Sequence, residues 1–257
     1  MLELVDTHCH IHFPGYELEP EAVIAAAIKA DVTRLMCVGC TLPDSRAAIE
    51  LAGRHENIWA TIGLHPHEGS AYVNDDVALQ EFRDLATNQK VVAIGETGLD
   101  YHYMHSSKAD QAKLLRFQLD MAVEYDLPLV FHVREAFDDF WSIYDSYKGL
   151  RGVVHSFSSD TRDLDHILSR GLYVGLNGIM TFTKDSEQLA AAKAIPLDRL
   201  LLETDAPFLT PVPFRGKVGE PKYVRVTAEF LSHLRGESLE TLATATTHNA
   251  AGLFNLR

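Results

Sequence analysis

The chain has 257 residues, 46% of them hydrophobic, and a formal net charge of −13 at pH 7. Such a composition excludes disordered and fibrous classes and predicts one globular domain of barrel size, spanning residues 1–257. With 23 lysines and arginines against 36 acidic residues, broad clamping of duplex DNA by a basic face is excluded, so any polyanionic substrate must be attracted locally.

No apolar run approaches the roughly 18 to 20 residues that cross a bilayer, and Met1 to Cys9 has neither a basic stretch nor a signal-type apolar core. We therefore expect a cytoplasmic protein with no membrane association, and nothing in the pattern calls for an obligate protein partner. Three cysteines, Cys9, Cys37 and Cys40, are too few for a disulfide scaffold and suit a reducing compartment. Cys37-Val-Gly-Cys40 has redox spacing, but it closes an apolar run and is read as reduced thiols at a strand end.

In chain order, eight short apolar runs are predicted as strands: Leu2 to Asp6, Arg34 to Val38, Ile58 to Gly63, Val91 to Gly95, Pro128 to Phe131, Gly152 to His155, Leu172 to Leu176 and Leu200 to Glu203. They are mostly uninterrupted rather than alternating, as strands buried on both faces should be. Helical patterns lie between them, clearest at Glu19 to Ala30, Asp44 to His55, Asp110 to Tyr125 and Asp185 to Ala194. Pro43 suits a helix start, and Leu115, Leu119 and Ala122 form a buried stripe at helical spacing. Eight strands with intervening helices in this length favour an α/β fold of the closed (β/α)8 TIM-barrel type over an open sheet. The stretch from Ala206 to Pro221 lacks helical or strand character, and a loop of that length in a compact domain is usually functional or disordered.

Barrel enzymes place their chemistry at the carboxyl ends of the strands. Strand one ends Asp6-Thr7-His8-Cys9-His10, and residues two apart on an extended chain point the same way, so His8 and His10 can present both imidazoles to one point. Strand four ends at Glu96, strand five at His132, strand six at His155, and strand eight runs into Glu203-Thr204-Asp205. Each residue alone has a plain structural explanation, but their joint recurrence at strand ends points to metal ligation by His8, His10, Glu96, His132, His155 and Asp205. Six ligands exceed one tetrahedral ion and suit two divalent ions, with Glu96, between the histidine groups in chain order, as the shared ligand. Zinc, manganese and magnesium all fall within the reach of such ligands.

The motifs Asp6-Thr7-His8-Cys9-His10, Gly63-Leu64-His65-Pro66-His67, Gly95-Glu96-Thr97-Gly98-Leu99-Asp100-Tyr101, His132-Val133-Arg134, His155-Ser156-Phe157 and Glu203-Thr204-Asp205-Ala206-Pro207 resemble those of the TatD family of metal-dependent deoxyribonucleases, within the wider amidohydrolase-like barrels. That resemblance implies a (β/α)8 barrel that hydrolyses phosphodiester bonds of single-stranded DNA, often from the 3′ end. It implies His8, His10 and Asp205 around one ion, His132 and His155 around the other, and Glu96 between. Asp205 and Glu96 are then the catalytic carboxylates, Asp205 accepting a proton from the attacking water.

Glu203, two residues before Asp205, shares its direction if the strand stays extended and is expected to orient a ligand. Arg134, two residues past His132, is the leading phosphate contact. His65, Arg215 and Lys217 are further candidate substrate contacts, and Tyr101-His102-Tyr103-Met104-His105 is a place where bases could stack. Two dications against the carboxylates Glu96 and Asp205 leave such a site about two charges positive, so an acidic protein can still attract a phosphodiester. Where the family commonly has asparagine before Glu-Pro in the last loop, this chain has Gly219-Glu220-Pro221. The alternative from the same superfamily is an acyl or amide hydrolase, such as a D-aminoacyl-tRNA deacylase.

Overall fold

The computed structural model describes residues 2–256; Met1 and Arg257, the ends of the expected 1–257 domain, lie outside the described residues. Its strands are β1 Leu4–Cys9, β2 Val32–Val38, β3 Ile58–Ile62, β4 Val91–Asp100, β5 Leu129–Arg134, β6 Gly152–Val154, β7 Tyr173–Leu176 and β8 Leu200–Leu202. They stand in sequence order in one eight-stranded sheet, alternating with helices as in a (β/α)8 barrel. Crossovers of about a dozen residues or more, each carrying a helix, are what a parallel sheet requires, since no tight turn can join parallel neighbours.

Contacts divide the chain into two compact units, one running up to Cys37 and resuming at His155, the other Val38–Val154. In the first, a parallel bridge joins Cys9, the last residue of β1, to Ala206, past the end of β8. The β1 pattern is buried throughout, and Thr7 turns its hydroxyl to the carbonyl of Leu202 at 3.0 Å. In the second, β4 is the longest strand and is buried along its whole length although its second half is Glu96-Thr97-Gly98-Leu99-Asp100. The helix Lys108–Tyr125 packs Leu114, Leu115, Leu119 and Ala122 inward, with Gln111 and Gln118 on the same buried face. Those two amides are satisfied: Gln118 clasps the main chain of Leu64 through both its oxygen and its nitrogen, at 2.9 Å each, and Gln111 receives the Asp100 N–H at 2.8 Å. Buried amides of this kind fix strand ends because an unpaired one is costly.

Several predicted boundaries move. β1 reaches Cys9 rather than Asp6, and β4 reaches Asp100 rather than Gly95. The predicted helices settle at Pro20–Lys29, Leu42–Gly53, Lys108–Tyr125 and Ser186–Ala194. Further helices form at Asp76–Asp84, Phe137–Tyr144, Thr161–Ser169, Val224–Arg235 and Leu239–Phe254. The long segment after β8 is free of helix and strand up to a 3-10 turn at Pro221–Tyr223, apart from the Ala206 bridge. Cys9 and Cys37 are buried and Cys40 half-buried, and all three are unbridged. Among the described residues no helix is long and apolar enough to cross a membrane.

Gly98 is the glycine on which the site's register turns. Its φ is +153°, and a Cβ there would lie 1.8 Å from the carbonyl oxygen of His132, its partner across β4 and β5. Because the obstacle is backbone, the strands would have to part. Gly98→Ala is expected to lower stability by at least about 2 kcal/mol, read as a lower urea midpoint; an unchanged midpoint would contradict this account of the register.

Candidate functional site

In the unit that holds the two chain ends, β1 delivers His8 within the strand and His10 just beyond it. Their Nε2 atoms face each other at 3.1 Å, as the alternation of an extended chain requires. Asp205 Oδ1 stands 3.6 Å from His8 Nε2 and 3.3 Å from His10 Nε2. Main-chain bonds hold these residues together: Asp205 N–H donates to the His8 carbonyl at 2.8 Å, and His10 N–H to the Ala206 carbonyl at 2.7 Å. Beneath them lies Asp6, fully buried. Its carboxylate accepts from the His8 N–H at 3.2 Å, the Thr204 N–H at 3.0 Å and the Thr204 hydroxyl at 2.6 Å. Burial pushes the Asp6 carboxyl well above the usual range, against the pull of those donors.

His155 stacks on His8, ring centroids 4.0 Å apart and planes 13° from parallel. Its Nδ1 is 3.5 Å from Glu203 Oε1, and that oxygen also accepts from the Ser156 N–H at 2.6 Å and Asn177 at 3.3 Å. Glu203 Oε2 is buried without a hydrogen-bond partner. Gly175 leaves it room, since a Cβ there would sit 2.3 Å from that oxygen. The expectation that Glu203 and Asp205 share a direction by alternation needs correction. β8 ends at Leu202 and Asp205 takes φ 60°, so Glu203 turns to His155 while Asp205 turns to His8 and His10. Burial raises the Asp205 carboxyl, but the hydrogen bond from His10 and the nearby His8, His10 and His155 outweigh it and hold the group below its usual range.

In the unit Val38–Val154, Glu96 is the centre. Its Oε1 is 2.8 Å from His132 Nδ1 and 3.6 Å from His65 Nε2, and its Oε2 receives the Cys40 thiol at 3.6 Å. His65, predicted as a substrate contact, thus stands among the potential ligands. The other ring nitrogen of His132 is 3.1 Å from Asp100 Oδ2, and His67 Nε2 is 3.1 Å from the same oxygen. Asp100 was not predicted. Its signal was the alternation Glu96, Gly98, Asp100 on one face of β4. Its other oxygen accepts the N–H groups of His102 and Tyr103 at 2.9 Å each. Burial raises the Asp100 carboxyl, yet the His132 hydrogen bond, the Tyr103 N–H and His67 together hold it well below the usual range. Burial pushes the His67 imidazole down.

Three predicted substrate contacts have local partners. Arg134 is exposed, its guanidinium 4.8 Å from the Tyr103 ring centroid. Arg215 donates to the Thr210 carbonyl at 2.9 Å and lies 4.0 Å from the Phe182 ring centroid. Lys217 stands 5.5 Å from the ring of Phe214.

The His8, His10 and Asp205 group fits a divalent cation. Donors about 2.0–2.2 Å from a tetrahedral ion lie roughly 3.3–3.6 Å from one another, and the His8, His10 and Asp205 atoms are spaced 3.1, 3.3 and 3.6 Å. His8, His155 and Glu203 form a second compact donor group in the same unit, and His65, Glu96 and His132 one in the other. His132 offers both ring nitrogens to carboxylates, whereas a neutral imidazole has a single N–H. A cation on the Glu96 side lets His132 stay neutral and donate to Asp100, the carboxylate–histidine arrangement that orients metal ligands.

The chain matches the model of the family described as TatD related DNase over residues 5–255. It belongs to that family. It is 37% identical over 98% of its length to "Uncharacterized metal-dependent hydrolase YabD" of Bacillus subtilis, covering 99% of that protein. It is 35% identical over 98% of its length to "3'-5' ssDNA/RNA exonuclease TatD" of Cronobacter sakazakii, covering 97% of that protein. The crystal structure of YJJV, a TatD homologue from Escherichia coli, superposes with a TM-score of 0.88 at 30% identity, with 98% of each chain covered.

Asp100 makes a pH-dependent contribution to stability. Its carboxyl is depressed in the folded chain, so the contribution is complete above the unfolded value near ~3.9 and is lost as pH falls through the folded value. In metal-free protein, Asp100→Asn should lower the urea midpoint at about pH 6, with the gap to wild type narrowing toward about pH 2. A gap that is the same at both pH values would show that the charge of Asp100 is not what holds His132 and His67.

Proposed function

We propose that this protein is a metal-dependent hydrolase that cleaves phosphodiester bonds of single-stranded DNA, and of RNA, from the 3′ end. The observation that carries the reading is the grouping of imidazoles around the carboxyl groups of Asp205 and Glu96. His8, His10 and Asp205 are the holders of one cation, and His132 with Glu96 of another. His155 is placed with the second ion, and Glu96 shared by both, on the sequence pattern. The names of the relatives, a metal-dependent hydrolase and an exonuclease of single-stranded DNA and RNA, support the same reading.

Bound divalent cations supply Lewis acidity and positive charge for an anionic substrate. The protein's own groups do the rest. Asp205, held below the usual carboxylate range by its histidine neighbours, is ionised at neutral pH and accepts the proton of the attacking water. Asp100 fixes the ring of His132, so that imidazole need not reorganise when substrate arrives, and Glu203 stands 3.5 Å from the Nδ1 of His155. Arg134, exposed at the end of β5, is the side chain we assign to a substrate phosphate.

Protein supplied with manganese, zinc or magnesium should remove label from 3′-labelled single-stranded DNA, and a chelator should abolish that. Asp205→Ala should lower kcat by about 100- to 10,000-fold, the span of a lost general base. Turnover of esters and amides with no loss of DNA label would overturn the phosphodiesterase reading in favour of acyl or amide hydrolysis.

A further inference from the structure

A cleft of about 680 Å³ opens in the unit that holds the chain ends, between the loop after β1 and the long loop after β8. Its size falls in the range of roughly 300–1,000 Å³ typical of small-ligand sites. We infer that it is a nucleotide subsite, in which Phe208 and Phe13 stack a base of the single strand and Lys217 and Arg215 face its phosphate; this rests on the nuclease reading above.

Both aromatic walls are attached to the residues that hold His10 and Asp205. The Phe13 ring stacks on His10 at 4.5 Å with planes 27° apart. Phe208 follows Asp205 by three residues and donates its N–H to the Asp205 carbonyl at 2.8 Å. Yet Phe208 is 53% exposed. A half-exposed aromatic beside a candidate active site offers an apolar face on which a base can stack. Every base offers such a face, so a platform of this kind tolerates any sequence.

The cleft is also built in advance. Tyr16 donates its hydroxyl to the Gly219 carbonyl at 3.0 Å, and Gly219 N–H donates to Pro207 O at 2.8 Å. Thr210 donates its hydroxyl to Lys217 O at 2.9 Å, and the Arg215 guanidinium donates to Thr210 O at 2.9 Å. Gly219 lets this chain's loop close tightly, because a Cβ would meet the carbonyl oxygens of Pro207 and Phe208 at 2.8 Å and the loop would have to shift. A loop cross-braced in this way loses little entropy when a ligand arrives. Lys217 and Arg215 line the cleft of a chain whose net charge is −13, which supplies local attraction for a phosphate. The exposed Glu17 also lines it and disfavours phosphate at its own side.

The test measures fluorescence-anisotropy binding of a labelled thymidine decamer, and of an abasic decamer of equal charge, to full-length protein kept metal-free by chelator. Phe208→Ala should weaken thymidine-decamer binding about tenfold, the effect of losing one stacked base, and leave abasic-decamer binding unchanged. Phe208→Trp should retain or tighten thymidine-decamer binding, and Lys217→Gln should weaken both oligomers and lessen the dependence on salt. Equal affinity of wild type and Phe208→Ala for the thymidine decamer, or equal losses on both oligomers, would overturn the subsite. DNA cleavage with metal restored is scored separately. Cleavage by wild type with no Phe208 effect removes the subsite and leaves the nuclease, whereas the Phe208 effect without cleavage removes the nuclease and leaves a single-strand binding site.

Discussion

A buried carboxyl group, that of Asp6, ties the ends of two strands. It receives the amide of His8 from one chain segment and the amide and hydroxyl of Thr204 from the other. The main-chain bonds from Asp205 to His8 and from His10 to Ala206 then continue the pairing past the last regular residue. His8, His10, Glu203 and Asp205 therefore leave a single fixed junction. A buried acid with three donors is tolerable because its lone pairs are satisfied; an apolar side chain there would leave two main-chain amides unpaired in the interior.

The same economy recurs in the unit Val38–Val154 with a different part. Gln118 and Gln111 from one helix clamp the main chain near Leu64 and Asp100, which keeps His65 and Asp100 where they face Glu96 and His132. His132 then lies between two carboxylates at 2.8 and 3.1 Å. Concentrated buried negative charge is expensive unless cations answer it. Protonated histidine or a divalent ion can do so, and only the ion brings chemistry with it.

Much of this was legible in the sequence. The eight apolar runs located every strand, and the alternation of β1 correctly brought His8 and His10 to one point. Alternation failed at Glu203 and Asp205 because the strand had already ended and Asp205 sits at positive φ, a turn that no hydropathy pattern signals. Hydropathy alone ends β4 short for a related reason. Its second half is polar but buried, and a polar residue that finds a partner inside the protein looks, in sequence, like one that belongs in water. Asp100 was missed on that account, and so was Asp6, whose role is set by Thr204, distant in sequence. The helix Thr161–Ser169, capped by Asp160 accepting from the Asp163 amide, is a weaker signal because its buried face is only Leu164 and Ile167.

The central claim is that these imidazoles and carboxylates are metal ligands and not only hydrogen-bonded structure. Anomalous diffraction from crystals equilibrated with manganese, collected at the metal's absorption edge, tests it directly. The account predicts one peak bounded by His8, His10 and Asp205 and another against Glu96 and His132. Crystals that show no peak at either place, with His132 still bonded to both carboxylates, would contradict it.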